Sequence, residues 1–275
     1  MKCDYHVHSE YSDDSSTPMH QQVKQAVNIG LAELCFTDHV DYGVKFDHGD
    51  PILADRPYDY NVKYPEYFAE IESLREQFGD ELTIRAGLEF GVQTITESKY
   101  EELFAKYRSK LDFILLSIHQ VNNLAFWDNA YQAGKTQAEY NTGYYEELLK
   151  VVQTYHHYSV LAHLDLMVRY DPQGVYPFAK VKDIVAEILR TAIQNGKGIE
   201  LNTSSWRYGL TDTTPSREIL KLYRDLGGEI LTLGSDAHNT KYLAAHFDEG
   251  REILSSLGFT KFCTFEKMNP IFHTL

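Results

Sequence analysis

Long hydrophobic runs are missing from this sequence. No stretch of 18 or more apolar residues occurs, so no membrane-crossing helix is expected. The opening residues, MKCDYHVHSEYSDD, carry no apolar leader, and the expected location is the cytoplasm. Cysteine is scarce: Cys3, Cys35 and Cys263 are widely spaced and odd in number, which argues against a disulfide framework. None forms a Cys-x-x-Cys pair of the kind that holds structural zinc. Positive charge is also short. The chain has 26 Lys and Arg against 40 Asp and Glu, a formal net charge of −14, which does not suit a nucleic-acid partner. No P-loop, Gly-x-Ser-x-Gly elbow or His-Glu-x-x-His helix is present, so those chemistries lack support. No repeat, low-complexity tract or interdomain linker divides the chain, and residues 1–275 are expected to form one domain.

What is present is a regular alternation. Hydrophobic residues make up 43% of the chain, enough for a full core. Short apolar runs at 3–7, 31–37, 82–90, 111–118, 159–162, 198–201 and 229–233 read as strands. Segments 19–29, 66–78, 100–110, 144–155, 181–194, 216–226 and 242–257 have helical spacing. Thr214-Pro215 looks like a helix start, with threonine as cap, and Gly227-Gly228 like its stop. Strand and helix in alternation argue for an α/β fold with a parallel sheet, either a barrel of seven units or an open doubly wound sheet.

The chemistry sits at the strand ends, where the loops of parallel α/β folds converge. The strands lead in order to His6, His8 and Asp14; to Asp38 and His39; to Glu89; to His119; to His163 and Asp165; to Asn202-Thr203-Ser204-Ser205; and to Asp236 and His238. Side chains two apart on a strand share a face, so His6 and His8 can aim two imidazoles at one ion, and Asp236 and His238 repeat the spacing. Imidazole with carboxylate and no thiolate suits Zn²⁺, Mn²⁺ or Fe²⁺. Any one of these histidines is more simply read as a packed side chain. Six of the 12 histidines at strand ends, with Asp14, Glu89 and Asp236 in equivalent places, are harder to explain by packing, because buried ionisable groups are costly without partners.

Tyr5-His-Val-His-Ser9 with Ser12 and Asp14, Thr37-Asp-His39, Gly87-Leu-Glu89, Ser117-Ile-His119, His163 and Gly234-Ser-Asp-Ala-His238 occur in one order along the chain. In these motifs the sequence resembles the PHP (polymerase and histidinol phosphatase) family, and within it the histidinol-phosphatase branch. The resemblance implies a distorted (β/α)7 TIM-like barrel with three divalent ions. It implies that His6, His8, Glu89 and Asp236 hold the first ion, and that Glu89 bridges to a second taken also by His119 and His163. The third would take Asp14, His39 and His238; many relatives have histidine where this chain has Asp14. The implied reaction is hydrolysis of L-histidinol phosphate to L-histidinol and phosphate, a step of histidine biosynthesis, by a hydroxide shared between two ions.

Phosphate monoester hydrolysis also needs charge neutralisation and a proton for the leaving alkoxide. Arg169 and Arg207, which follow the fifth and sixth strands, can each grip phosphate through a guanidinium fork, the alternative for each being a surface salt bridge. Asp165 and the third ion are both candidates for leaving-group help. Two long loops, 40–63 and 120–137, are expected to shape the substrate pocket. Asp41 or Asp47 would suit an amine, and Phe126, Trp127 and Tyr131 an aromatic wall. Competing readings are a PHP phosphoesterase for another small ester or nucleotide, an amidohydrolase-type metal hydrolase, and a non-catalytic metal-binding barrel.

Overall fold

The computed structural model describes residues 1–49 and 59–275. The strands are β1 (Cys3–Val7), β2 (Glu33–Phe36), β3 (His39–Val40), β4 (Thr83–Gly91), β5 (Phe113–Ser117), β6 (Gln120–Val121), β7 (Leu124–Ala125), β8 (Val160–Leu161), β9 (Gly198–Asn202), β10 (Leu231–Gly234), β11 (Lys261–Glu266) and β12 (Asn269–Thr274), and the seven apolar runs supply β1, β2, β4, β5, β8, β9 and β10. The helices are α1 (Met19–Asn28), α2 (Tyr64–Phe78), α3 (Glu97–Tyr107), α4 (Gln137–Thr154), α5 (Lys182–Gln194), α6 (Arg217–Asp225) and α7 (Phe247–Ser256).

Strands pair in the order β1-β2-β4-β5-β8-β9-β10, each parallel to its neighbours. The two ends of this sheet meet through a parallel bridge between Val7 and Ala237, with His8 N–H donating to Ala237 O at 2.9 Å. The sheet is therefore a nearly closed seven-stranded barrel, and of the two architectures open to the sequence the barrel is the one formed. Strand burial accounts for the apolar runs: every residue of β1, β2, β5, β9 and β10 is buried. Helices cover the outside with their apolar faces, as Val185, Ala186, Ile188, Leu189 and Ala192 do on α5.

Three local expectations are corrected. The fourth helix begins at Gln137 rather than 144, because Thr136 and Glu139 form a reciprocal cap: Glu139 N–H donates to Thr136 Oγ1 at 3.3 Å, and Thr136 N–H to Glu139 Oε2 at 2.7 Å. Thr214-Pro215 does not start the sixth helix. Thr214 is bridged to Asn202 in antiparallel fashion, and α6 begins at Arg217 behind Ser216. Gly227 does follow the helix end, with φ 88°. Finally, β11 and β12 form a hairpin that the pattern reading did not find. It lies across the strand starts, where the Phe265 and Phe113 rings meet at 5.0 Å and Met268 N–H donates to Asp112 O at 2.8 Å.

Candidate active site

The opposite end of the barrel is crowded with ionisable groups. Glu89, in the last part of β4, is fully buried and ringed by imidazoles. His6 Nε2 stands 3.1 Å from its carboxylate, His8 Nε2 3.4 Å, His39 Nδ1 3.2 Å, His119 Nε2 3.2 Å and His163 Nε2 3.0 Å. Asp236 lies 3.7 Å from His6 and 3.5 Å from both His8 and His238, and Asp14 lies 2.9 Å from His238 and 3.5 Å from His39. All nine side chains expected to ligate thus converge. They form overlapping clusters, His6/His8/Glu89, Glu89/His119/His163 and His8/Asp14/His39/His238, whose ligand atoms lie within 4.8 Å of one another.

The electrostatics follow from this crowding. Burial raises the Glu89 carboxyl, but His6, His119 and His39 more than offset it and hold it well below the usual carboxylate range. Burial, then His238 and His39, keeps the His8 imidazole well below its ordinary value, so the ring is neutral. His8 Nε2 is buried without a hydrogen-bond partner among the described residues, although two carboxylates stand within 3.5 Å. A neutral imidazole with an unshared lone pair facing carboxylates is the donor set a divalent cation completes, so the residues present fit metal binding. Asp236 also has φ 55°, a left-handed backbone uncommon for non-glycine residues, which turns the chain just after β10.

Residues behind the ring orient it. Asp41 Oδ1 accepts from His119 Nδ1 at 2.7 Å, and Lys45 Nζ stands 2.8 Å from Asp41 Oδ2 and 2.5 Å from Asp13. Burial lowers His119, yet Asp41 and Glu89 carry it up to about 10. His8 Nδ1 is 3.0 Å from Ser12 Oγ, which donates to the buried Asp38 at 2.7 Å. Gly91 is required here, because a Cβ on it would fall 1.9 Å from Asp41 Oδ1.

A cavity of about 260 Å³ opens over the ring, lined by Lys45, Trp127, Leu166, Arg169, Tyr170 and Tyr208 together with the predicted ligands other than His6 and His8, which lie beneath it. Arg169 reaches it as expected. Its Nη2 donates to Ser204 Oγ at 2.7 Å and Asp236 Oδ2 at 3.0 Å, and its guanidinium lies 4.1 Å from the Tyr208 ring. Arg207 does not line the cavity: it donates to Asp236 O at 2.8 Å and stacks over Tyr242 at 4.7 Å. Trp127, 44% exposed, stands at the mouth.

Other expected contacts are not brought there. Phe126 is fully buried against Tyr131 and Tyr144 in the core. Asp41 reaches the cavity wall, but His119 and Lys45 engage it and it offers no free carboxylate to an amine. Asp47 accepts from Asn61 and Tyr64 and lines a different cavity. Asp165 also lines a separate cavity, on the other side of the 3₁₀ segment Leu166–Tyr170, and accepts from Ser216 N–H at 2.9 Å. Strand β8 ends at Leu161, and His163 has φ 20°, so the alternation that would have put Asp165 beside His163 is lost. Residues 50–58 of the 40–63 loop lie outside the described residues. Lys45, Tyr208 and Glu200 were not singled out from sequence; of these only Glu200, a charge inside an apolar strand, left a signal.

Three comparisons bear on this arrangement. The family model described as PHP domain matches residues 4–204. The histidinol-phosphatase of Lactococcus lactis subsp. lactis is 32% identical over 272 residues, covering 97% of this chain and 95% of that protein. A probable histidinol-phosphatase of Thermotoga maritima is 27% identical, covering 93% and 92%. The crystal structure of the Lactococcus lactis histidinol phosphate phosphatase, complexed with zinc, L-histidinol and phosphate, superposes with a TM-score of 0.86 at 31% identity over 98% of each chain. The barrel, the ring of histidines around one glutamate and a family match over most of the chain agree: this protein belongs to the PHP-domain family.

Proposed function

We propose that this protein is a metal-dependent phosphatase that hydrolyses L-histidinol phosphate to L-histidinol and inorganic phosphate. The observation that carries the reading is the Glu89 carboxylate with five imidazoles within 3.4 Å of it, beneath a cavity walled by Arg169 and aromatic rings. The similar Lactococcus lactis protein, whose structure contains zinc, L-histidinol and phosphate, supports it.

His6, His8, Glu89 and Asp236 would hold one ion, Glu89, His119 and His163 a second, and Asp14, His39 and His238 a third, with zinc favoured and manganese or iron as alternatives. When bound, such ions supply Lewis-acid charge to phosphate oxygens and make water a stronger nucleophile at neutral pH. The chain's own residues do the rest. Arg169, buried and fixed by Ser204 and Asp236, presents a guanidinium to the phosphate and offsets charge as the transition state develops. Arg207 braces the Asp236 main chain. Trp127, Tyr170 and Tyr208 offer flat surfaces to an imidazole. Asp165, turned into its own cavity, reaches the leaving oxygen only if the segment Leu166–Tyr170 moves, so it holds that segment rather than donating the proton.

Residues 1–275 act here as one catalytic unit, since Asp236 and His238 follow β10 and flank Ala237, whose bridge to Val7 closes the barrel. The activity belongs in the cytoplasm, where phosphorylated metabolites are retained. Among the described residues no helix is long and apolar enough to cross a membrane. The test is phosphate release with Zn²⁺, Mn²⁺ or Fe²⁺ supplied. L-histidinol phosphate should be turned over with kcat/KM far above nucleotides and sugar phosphates; a flat profile would sink this substrate and leave a general PHP phosphoesterase.

A further inference from the structure

Glu200 sits within β9 between Ile199 and Leu201, and its carboxylate is fully buried. Both oxygens are engaged. Oε1 lies 2.7 Å from His6 Nδ1, while Oε2 accepts from the main-chain N–H of His163 at 3.0 Å and from Asn202 Nδ2 at 3.2 Å. Space has been made for it. A Cβ on Gly234 would fall 2.0 Å from Glu200 Oε1 and 2.4 Å from His6 Cβ, so the neighbouring strand tolerates only glycine.

We propose that Glu200 is a positioning residue that fixes His6 as its Nδ1-protonated tautomer and, through the main chain of His163, sets a second ring of the same site. The proposal rests on the metal-site reading above. A neutral imidazole carries one N–H, so a proton held on Nδ1 leaves the Nε2 lone pair free. His6 Nε2 faces Glu89 at 3.1 Å and Asp236 at 3.7 Å, where an ion would sit between them. Three other rings have their own anchors, His119 on Asp41, His8 on Ser12 and His238 on the main-chain oxygen of Asp236, while His39 Nδ1 has no hydrogen-bond partner among the described residues. His163 Nδ1 has no hydrogen-bond partner among the described residues, so apart from Glu89 at its Nε2 the ring is placed by its backbone, which Glu200 grips. One carboxylate on β9 thereby aligns a ring that follows β8 with a ring on β1.

The substitution Glu200→Gln separates this role from simple packing. Glutamine keeps the shape but offers one carbonyl and one NH2. The His163 main-chain N–H cannot become an acceptor, so the carbonyl must face it and the NH2 must face His6. His6 then accepts at Nδ1 and carries its proton on Nε2, where it blocks the lone pair. The readouts are the ¹⁵N shifts of the His6 ring in zinc-free protein at a pH where the ring is neutral, and zinc affinity by chelator competition. Wild type should show Nδ1–H; Glu200→Gln should show Nε2–H and bind zinc about 10–100-fold more weakly. An Nε2–H ring in wild type overturns the proposal without any variant. A folded Glu200→Gln protein that keeps Nδ1–H, or binds zinc within about twofold of wild type, overturns it too. Wild type that binds no zinc overturns the metal-site reading along with it.

Discussion

His6, His8 and Glu89 are 0% exposed and Asp236 2%, whereas at the rim the Asp14 side chain is 50% exposed, His238 18% and His39 12%. The floor is therefore anchored from behind, with Glu200 on His6, Asp41 on His119 and Ser12 with Asp38 on His8. The rim has solvent at its back, and Asp14 is held there by the two histidines it faces. The difference teaches which part is pre-organised. A buried ligand set has no water to fall back on and must be complete, while a solvated carboxylate can exchange partners cheaply. The proposed ions should then differ in lability: floor ions retained, rim ion exchangeable.

The contrast can be broken most severely at its centre. Glu89→Gln removes the carboxylate shared by five imidazoles, and we expect kcat/KM to fall by at least about 10³-fold, beyond the 10–100-fold typical of losing an outer partner. Metal analysis should show loss of more than one ion. Near-normal activity and metal content would refute the floor as described. Next, a graded chelator challenge followed by elemental analysis should remove rim metal first, with activity recovering when zinc is restored. Simultaneous loss of all ions would erase the distinction between floor and rim. Arg169→Lys keeps the charge but loses the planar guanidinium, whose Nη2 holds Ser204 and Asp236 while its other nitrogens are left for phosphate, and should cost roughly tenfold in kcat/KM for the phosphate ester with metal content intact. The smallest effect is at the mouth. Trp127→Ala should raise KM about threefold without lowering Tm, as loss of an exposed aromatic contact does. Phe126→Ala, one residue earlier, should instead lower stability by about 3–5 kcal/mol through a core cavity and leave KM alone.

The floor was partly legible in the sequence because β1 keeps strand periodicity: His6 and His8 are two apart at its end, and the barrel order brings that end beside Glu89 on β4. The same spacing at Asp236 and His238 found the right residues for a different reason, since both follow the end of β10 at Gly234 and Asp236 turns the chain with φ 55°. Legibility fails where the chain leaves that period. Phe126 and Trp127 are adjacent in a loop segment after β7, and nothing in their spacing says that one enters the core and the other the solvent. Asp165 fails for the same reason past the end of β8. Lys45 belongs to a loop without any repeat, and only the folded chain shows that it neutralises Asp41 and Asp13. Glu200 was visible as a charge in a buried strand, but its partners come from β1 and from the turn after β8, which local pattern cannot join.

The hairpin at the far end of the barrel has a consequence for the catalytic end. Tyr5 immediately precedes His6, and its hydroxyl accepts a hydrogen bond from Phe265 N at 2.7 Å and donates to Glu33. The strand that carries the first imidazole is thus moored to a segment that follows all nine proposed ligands along the chain. A nascent protein in which Phe265 has not yet docked would own every ligand yet lack the tether that sets their height, so metal capture should wait for the hairpin.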